Sequence, residues 1–237
     1  PVRVAHLAVL SGEGGVDDDN KHIALLCKAF NVPEPASDAR HYSGVLNSSD
    51  ECELRMKWER HTEFSSYTFY CSGDFDDPFA ASVVDMLPAD WLAKMPGDVL
   101  SATNLSLEGA ETSEREFTDL ADLFANNLVT GSAMRGGQAL VWTDFRVHED
   151  GFNRILVRDQ GMNQRQGGRL IQRLLEVSAY RMMAMLAFPL ARDVLPRVSQ
   201  AEATLNELMD GMASSDGGED ERRVLKKLTA LAADIES

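Results

Sequence analysis

Among its 237 residues the chain has only three cysteines, Cys27, Cys52 and Cys71, with no CxxC pair and no metal-ligand spacing. An odd, sparse set of this kind excludes a disulfide scaffold and favours a reduced compartment. Cys52 lies between Glu51 and Glu53, whose field disfavours a thiolate, so it is a poor nucleophile. Long apolar runs are missing too. The charge-free apolar stretch Met182 to Ala191 is about half of what a membrane span needs, so no bilayer-crossing segment is expected here. Base is scarce against acid, with 23 Lys and Arg facing 38 Asp and Glu. A surface this acidic repels phosphate backbones and anionic lipid, which excludes nucleic acid as a partner and suits a cation or a basic protein.

The charge is unevenly placed. Residues 1–160 hold 27 acids against 13 bases and every His, Cys and Trp, whereas residues 161–237 are nearly balanced, with 11 acids and 10 bases. We therefore divide the chain into an acidic head, 1–160, and a helical region, 161–237. The head opens with a strand, Val2 to Leu10, and a helix from Asn20 to Phe30, followed by an irregular connection from Asn31 to Asp50. From Glu53 the alternation is nearly perfect, with Leu54, Met56 and Trp58 on one face and Glu53, Arg55, Lys57 and Glu59 on the other, the pattern of a half-buried strand. Phe64 to Cys71 continues as a strand. Asp77 and Pro78 then open a helix to about Leu87, and Val99 to Leu107 is a further strand. Ser113 with Glu116 has capping-box spacing, and Gly136-Gly137 between two apolar stretches signals a hairpin. With Phe152 to Arg158 this makes six or seven strands and about three helices, an α+β head with a mixed or antiparallel-rich sheet.

The second region has helical spacing throughout. Pro189 and Pro196 are expected to kink or break its first helix, 161–196. Val198, Ala201, Leu205, Leu208 and Met212, then Val224, Leu228, Leu231 and Ile235, keep an a/d rhythm on both sides of the polar turn Ser214 to Asp220. Residues 197–237 thus form an antiparallel helical hairpin, whose outer seam is suited to coiled-coil pairing with another copy.

Chemistry is weakly marked. Ser11-Gly-Glu-Gly-Gly15 sits where a phosphate loop would, but it lacks Lys, and Asp17, Asp18 and Asp19 crowd the helix start. Those acids suit the positive end of the helix dipole, with a held cation as the second reading. The sharpest polar group is Arg60, His61 and Glu63, a candidate ligand-binding cluster. On an extended strand His61 and Glu63 share a face roughly 7 Å apart, a spacing that lets imidazole and carboxylate share a proton, a metal or a ligand. If the chain turns there, Glu63 only orients the ring. A metal site needs a third ligand, which His148 beside Glu149 and Asp150 could supply only through folding. Gly161-Met162-Asn163 matches the tripeptide of magnesium-channel pore mouths, but it precedes Gln164-Arg165-Gln166 instead of ending a membrane helix, and it is set aside as coincidence.

The blocks Lys57-Trp-Glu-Arg-His-Thr-Glu-Phe-Ser-Ser-Tyr-Thr-Phe69, Val141-Trp-Thr-Asp-Phe-Arg146 and Gly168-Arg-Leu-Ile-Gln-Arg-Leu-Leu-Glu176, with Tyr180-Arg-Met-Met183, resemble a bacterial family of predicted membrane-anchored proteins of the domain-of-unknown-function class. The resemblance spans about Val4 to Arg192. It implies a further C-terminal region with apolar segments that this chain lacks, in keeping with a chain that begins without Met and stops inside a helical pattern. It carries over no catalytic residue.

Three functions are set against one another. The first is the soluble, non-enzymatic part of a membrane-associated protein, facing the cytoplasm, with a homo-oligomerising helical region, a membrane contact through a segment absent from this chain, and an acidic head that binds a divalent cation or a protein. The second is a hydrolase or transferase with His61 as general base oriented by Glu63, with or without a metal. The third is a pure scaffold.

Overall fold

A computed structural model describes residues 1–10, 15–49, 52–113, 115–213 and 224–229. One sheet of eight strands organises the head: β1 (Val2–Leu10), β2 (His41–Ser48), β3 (Glu53–Arg60), β4 (Ser65–Ser72), β5 (Asp98–Glu108), β6 (Thr130–Met134), β7 (Ala139–Val147) and β8 (Asn153–Asp159). Their order is β2-β3-β4-β1-β5-β8-β7-β6, and every pairing is antiparallel except β5 with β8. The fold is α+β with a mixed sheet, as the sequence indicates.

The helices include α1 (Gly15–Ala29), α2 (Ala89–Leu92), α3 (Phe117–Leu123) and the 50-residue α4 (Gln164–Ala213). α1 and α2 cover one face of the sheet. There Ile23 and Leu26 of α1 and Trp91 of α2 pack on Leu7, Leu54, Met56, Trp58, Tyr67 and Phe69. The first turns of α4 cover part of the other face, where Leu170, Ile171 and Leu175 pack on Val4, Leu105, Val141 and Val157. The alternation along β3 is therefore real, and its apolar side faces α1.

Several expectations change. The connection from Asn31 to Asp50 contains an edge strand, β2, hidden from periodicity because only Leu46 of it is buried. Asp77 does cap a turn, its Oδ1 accepting from the Phe79 amide at 2.8 Å, but no long helix follows. A single 3-10 turn, Val83–Met86, capped by Ser82, stands in its place. The capping box of α3 is formed by Glu116 and Asp119, not by Ser113 and Glu116. Gly136 and Gly137 do turn the β6–β7 hairpin, with φ of 68° and 92°. Cys52 and Cys71 form a disulfide across 19 residues, against the expectation of reduced thiols, because the β3–β4 register draws their Cα atoms to 5.5 Å. Cys27 is free and buried. Cysteine usage therefore no longer argues for a reduced compartment.

Two compact units emerge, Pro1–Met182 and Met183–Ser237. α4 runs on through Pro189 and Pro196 and ends at neither. A proline inside a helix removes one amide donor and strands the carbonyl four residues earlier, at a cost of about 3 kcal/mol or more. Residues 184–200, which carry both prolines, are exposed. By length and composition α4 is also long and apolar enough to cross a membrane, with an 18-residue window of mean hydropathy 1.3 and at most two charged residues. Counting only charge-free residues missed it, since a span tolerates a flanking Arg whose long stem lets the guanidinium reach the interface. The turn Ser214 to Asp220 of the expected hairpin lies outside the described residues, as do Leu231 and Ile235. Residues 224–229 are helical, with Val224 buried.

The acids at the start of α1 divide in two. Asp17 and Asp18 lie exposed in the first turn, where they suit the helix dipole, and Asp18 pairs with Lys21. Asp19 is fully buried, and its carboxylate bonds to the sheet. Asp19→Ala should remove about 3–5 kcal/mol of stability by leaving the Arg60 guanidinium buried without its anion. The double variant Asp19→Ala/Arg60→Met should recover part of that loss in urea unfolding, and a D19A chain as stable as the parent would refute the assignment.

Candidate functional site

β3 ends at Arg60 and β4 begins at Ser65, so Arg60, His61 and Glu63 stand at a tight turn. The His61 amide closes it by donating to the Phe64 carbonyl at 2.9 Å. The extended alternative, with His61 and Glu63 side by side on one strand face, is not the one adopted.

Each residue of the cluster has a different fate. Arg60 reaches under the turn to α1, where its Nη1 donates to Asp19 Oδ2 at 2.6 Å. Ser65 Oγ donates to the same oxygen at 2.5 Å, and Tyr67 OH donates to Oδ1 at 2.9 Å. Burial and the adjacent Asp19 charge raise the Tyr67 pKa far above its usual range, so this phenol remains a donor. Arg60 is thereby committed to the fold. Glu63 lies exposed and makes no hydrogen bond or ion pair with any described residue.

His61 faces the sheet side that α4 partly covers. Its ring stacks on buried Phe64 at 4.5 Å, Phe64 meets Tyr180 edge-on at 5.7 Å, and its Nε2 lies 3.2 Å from Ser66 Oγ. It also lines a cavity of about 30 Å³ together with His6, Lys57, Glu59, Gln172 and Glu176. His6, which sequence reasoning passed over, is the most constrained of these. Its Nδ1 is 2.9 Å from Thr68 Oγ1, while its Nε2 is buried without a hydrogen-bond partner among the described residues. Burial, reinforced by His61 and then Lys57, lowers its pKa to about 4, so the ring is neutral. The alternation Val4, His6, Ala8 places His6 on the same face as Lys57 only once the strand order is known, and that order is not visible in the sequence.

The third ligand does not arrive. His148 pairs with Asp144, Nε2 to Oδ2 at 3.0 Å, on the β7–β8 side of the sheet, three strands away from β4. Among the described residues no group of three or more His, Cys, Asp or Glu is placed to hold a metal ion. The cavity brings the hydrogen-bonding side chains of His6, His61 and Gln172 together with the charged Lys57, Glu59 and Glu176.

A family model described as Protein of unknown function (DUF3422) matches residues 1–237. The chain belongs to the DUF3422 family. No curated protein and no solved structure matches it. In this DUF3422 chain a second buried carboxylate repeats the logic of Asp19: Glu108 Oε1 accepts from Arg115 at 2.5 and 2.8 Å, and its Oε2 accepts from Arg158 at 3.1 Å. Both assemblies hold long-range parts of the chain together.

His22, stacked on Trp91 at 4.2 Å, resembles His6 in having its pKa lowered to about 4, chiefly by burial against the opposing pull of Asp19. Below pH 6.5 the unfolded DUF3422 chain takes up protons on these rings while the folded chain does not, so the unfolded state gains. Stability should thus be fully present above about pH 7 and fall as pH drops from 6.5 towards 4, by about 2 kcal/mol per imidazole at pH 5. Urea unfolding at pH 7 and pH 5 measures this, and His6→Gln should abolish about half of the difference.

Proposed function

We propose that this chain is the non-enzymatic head and stalk of a membrane-associated bacterial assembly, in which α4 joins copies of the chain and the acidic head presents a binding face. The observation that carries the reading is the apolar surface of α4. Met185, Leu186, Phe188, Leu190, Val194, Leu195 and Val198 are between 41% and 68% exposed. They fall on more than one side of the helix: Leu186, Leu190 and Val194 form one four-residue series, and Phe188 and Leu195 lie two turns apart on another. A helix apolar on more than one side is ordinarily surrounded by other helices or by lipid. The apolar composition of α4 supports a position at the membrane, and the a/d rhythm that continues from Val198 supports pairing between copies.

Within this reading the excess acid serves solubility and partner choice, with a divalent cation as the simplest ligand of the exposed Asp17 and Asp18. General-base chemistry at His61, without the orienting bond expected from Glu63, is the second reading, and the observation favouring it is that His61 and the unpartnered His6 Nε2 line one cavity. It requires a turnover that His61→Ala abolishes without lowering the melting temperature.

Sedimentation equilibrium decides the first reading. The parent chain should be oligomeric at micromolar concentration, and Leu190→Glu/Val194→Glu should shift it to monomer while leaving the far-ultraviolet spectrum unchanged. A parent chain that sediments as a monomer, both in buffer and in detergent, contradicts it.

A further inference from the structure

The register of the sheet sets its side chains out as a grid. Across one row Ser43, Lys57, Thr68 and His6 stand opposite one another on β2, β3, β4 and β1, and the next row is Val45, Arg55, Tyr70 and Val4. The apolar contacts of α4 on this face begin at Val4 of β1 and continue over β5, β8 and β7. Beside them, between β3–β4 and the first turns of α4, lies a cleft of about 630 Å³, a volume in the range of small-molecule sites.

Its walls are chemically unlike. Arg55, Lys57 and Tyr70 come from the sheet, and Gln164, Gly167 and Gly168 from the start of α4. The two glycines leave the helix backbone bare: a Cβ on Gly168 would meet nothing within 4 Å, and one on Gly167 only the Leu107 side chain at 3.7 Å. Asn163 Oδ1 takes the Gln166 amide at 3.0 Å and the Asn163 carbonyl takes the Gly167 amide at 3.0 Å, so the amides of Gln164 and Arg165 precede the helical ladder. In a molecule of net charge −15, this cleft is lined by two cationic side chains and a single acid, Asp159. The Asp159 carboxylate is already engaged, its Oδ1 accepting from the amides of Gly161 and Met162 at 2.9 and 2.7 Å. Arg55 and Lys57 pair sideways with Glu53 and Glu59 at 3.0 and 2.6 Å, partly exposed pairs of the kind that contribute little and exchange readily.

The observation that points to a ligand comes from an adjoining cavity. The cavity of about 30 Å³ shares Lys57 and Tyr70 with the cleft, and His6 lines it at 6% exposure, with its Nε2 unpartnered among the described residues. A buried ring nitrogen left unpaired is costly, and the space fits one hydrogen-bonding group.

We propose that this cleft binds a small phosphate ester. Its phosphate is held by Lys57, Arg55 and the first amides of α4, where the helix dipole favours negative charge. Its body rests on Tyr70, and one polar group reaches His6 Nε2. The site is independent of how α4 associates.

The test is an amide and imidazole NMR titration of the chain with glycerol 3-phosphate, the ionic strength being held constant with sodium chloride. Saturable shifts are expected at Gln164 to Gly168 and on the His6 ring, with affinity at least tenfold weaker in Arg55→Met/Lys57→Met. Gly168→Gln fills the cleft with a residue that helices favour, so this variant should melt no lower and still bind at least tenfold more weakly. Co-sedimentation with phosphatidylcholine vesicles containing phosphatidic acid separates the two sources of the ester. Loss of co-sedimentation in the Arg55→Met/Lys57→Met chain assigns it to a lipid headgroup, and no dependence on those residues assigns it to a soluble ester. Absence of saturable shifts, or shifts of equal strength in both variants, overturns the proposal.

Discussion

The Asp19 carboxylate is the constraint on which the arrangement of the head depends. A fully buried anion is tolerated only if its lost hydration is replaced, and here a guanidinium and two hydroxyls replace it, one from each of Arg60, Ser65 and Tyr67. Those three residues flank the β3–β4 turn, and Asp19 belongs to α1. One carboxylate therefore fixes the seat of the helix on the sheet and the geometry of the turn. The placement of Ile23 and Leu26 against Trp58 and Phe69 follows from that seat.

Because α1 and α2 claim one side of β3 and β4, the other side of those strands is left to polar residues. The sheet thus carries an apolar half under α4, from β1 to β7, and a polar half from β2 to β4 with Arg55, Lys57 and Glu59 on its surface. His6 sits at the border between the halves, which explains both its burial and its unpaired nitrogen. Glu108 with Arg115 and Arg158 performs on the β5–β8 side the service that Asp19 performs for α1. At least two of the head's many acids therefore act in folding, and net charge alone overstates how many are available to a cation.

Much of this architecture was legible locally. The 2-residue period of Glu53 to Glu59 needs only a sheet with one apolar face, and the Gly136-Gly137 hairpin needs only positive φ, so both could be read from neighbours in sequence. What could not be read depends on contacts across many residues. β2 has too little buried surface to show a period, Asp19 and Arg60 are 41 residues apart, and the Cys52–Cys71 bond exists only in the β3–β4 register. The candidate cluster was partly legible for the same reason. Arg60, His61 and Glu63 were singled out by adjacency, yet the turn sends one into the fold, one towards α4 and one into solvent, while His6, which shares a cavity with His61, lies 55 residues upstream of it in the sequence.

α4 poses the opposite problem, since its exposed apolar residues lack the covering that such residues ordinarily have. In the proposed reading, other copies of the chain supply it. Hydrogen exchange over residues 184–200, followed by mass spectrometry across a hundredfold range of protein concentration, tests this most directly. If copies of α4 cover one another, protection of that segment should rise with concentration while protection of β1 and β4 stays constant. Equally fast exchange of residues 184–200 at every concentration would contradict it.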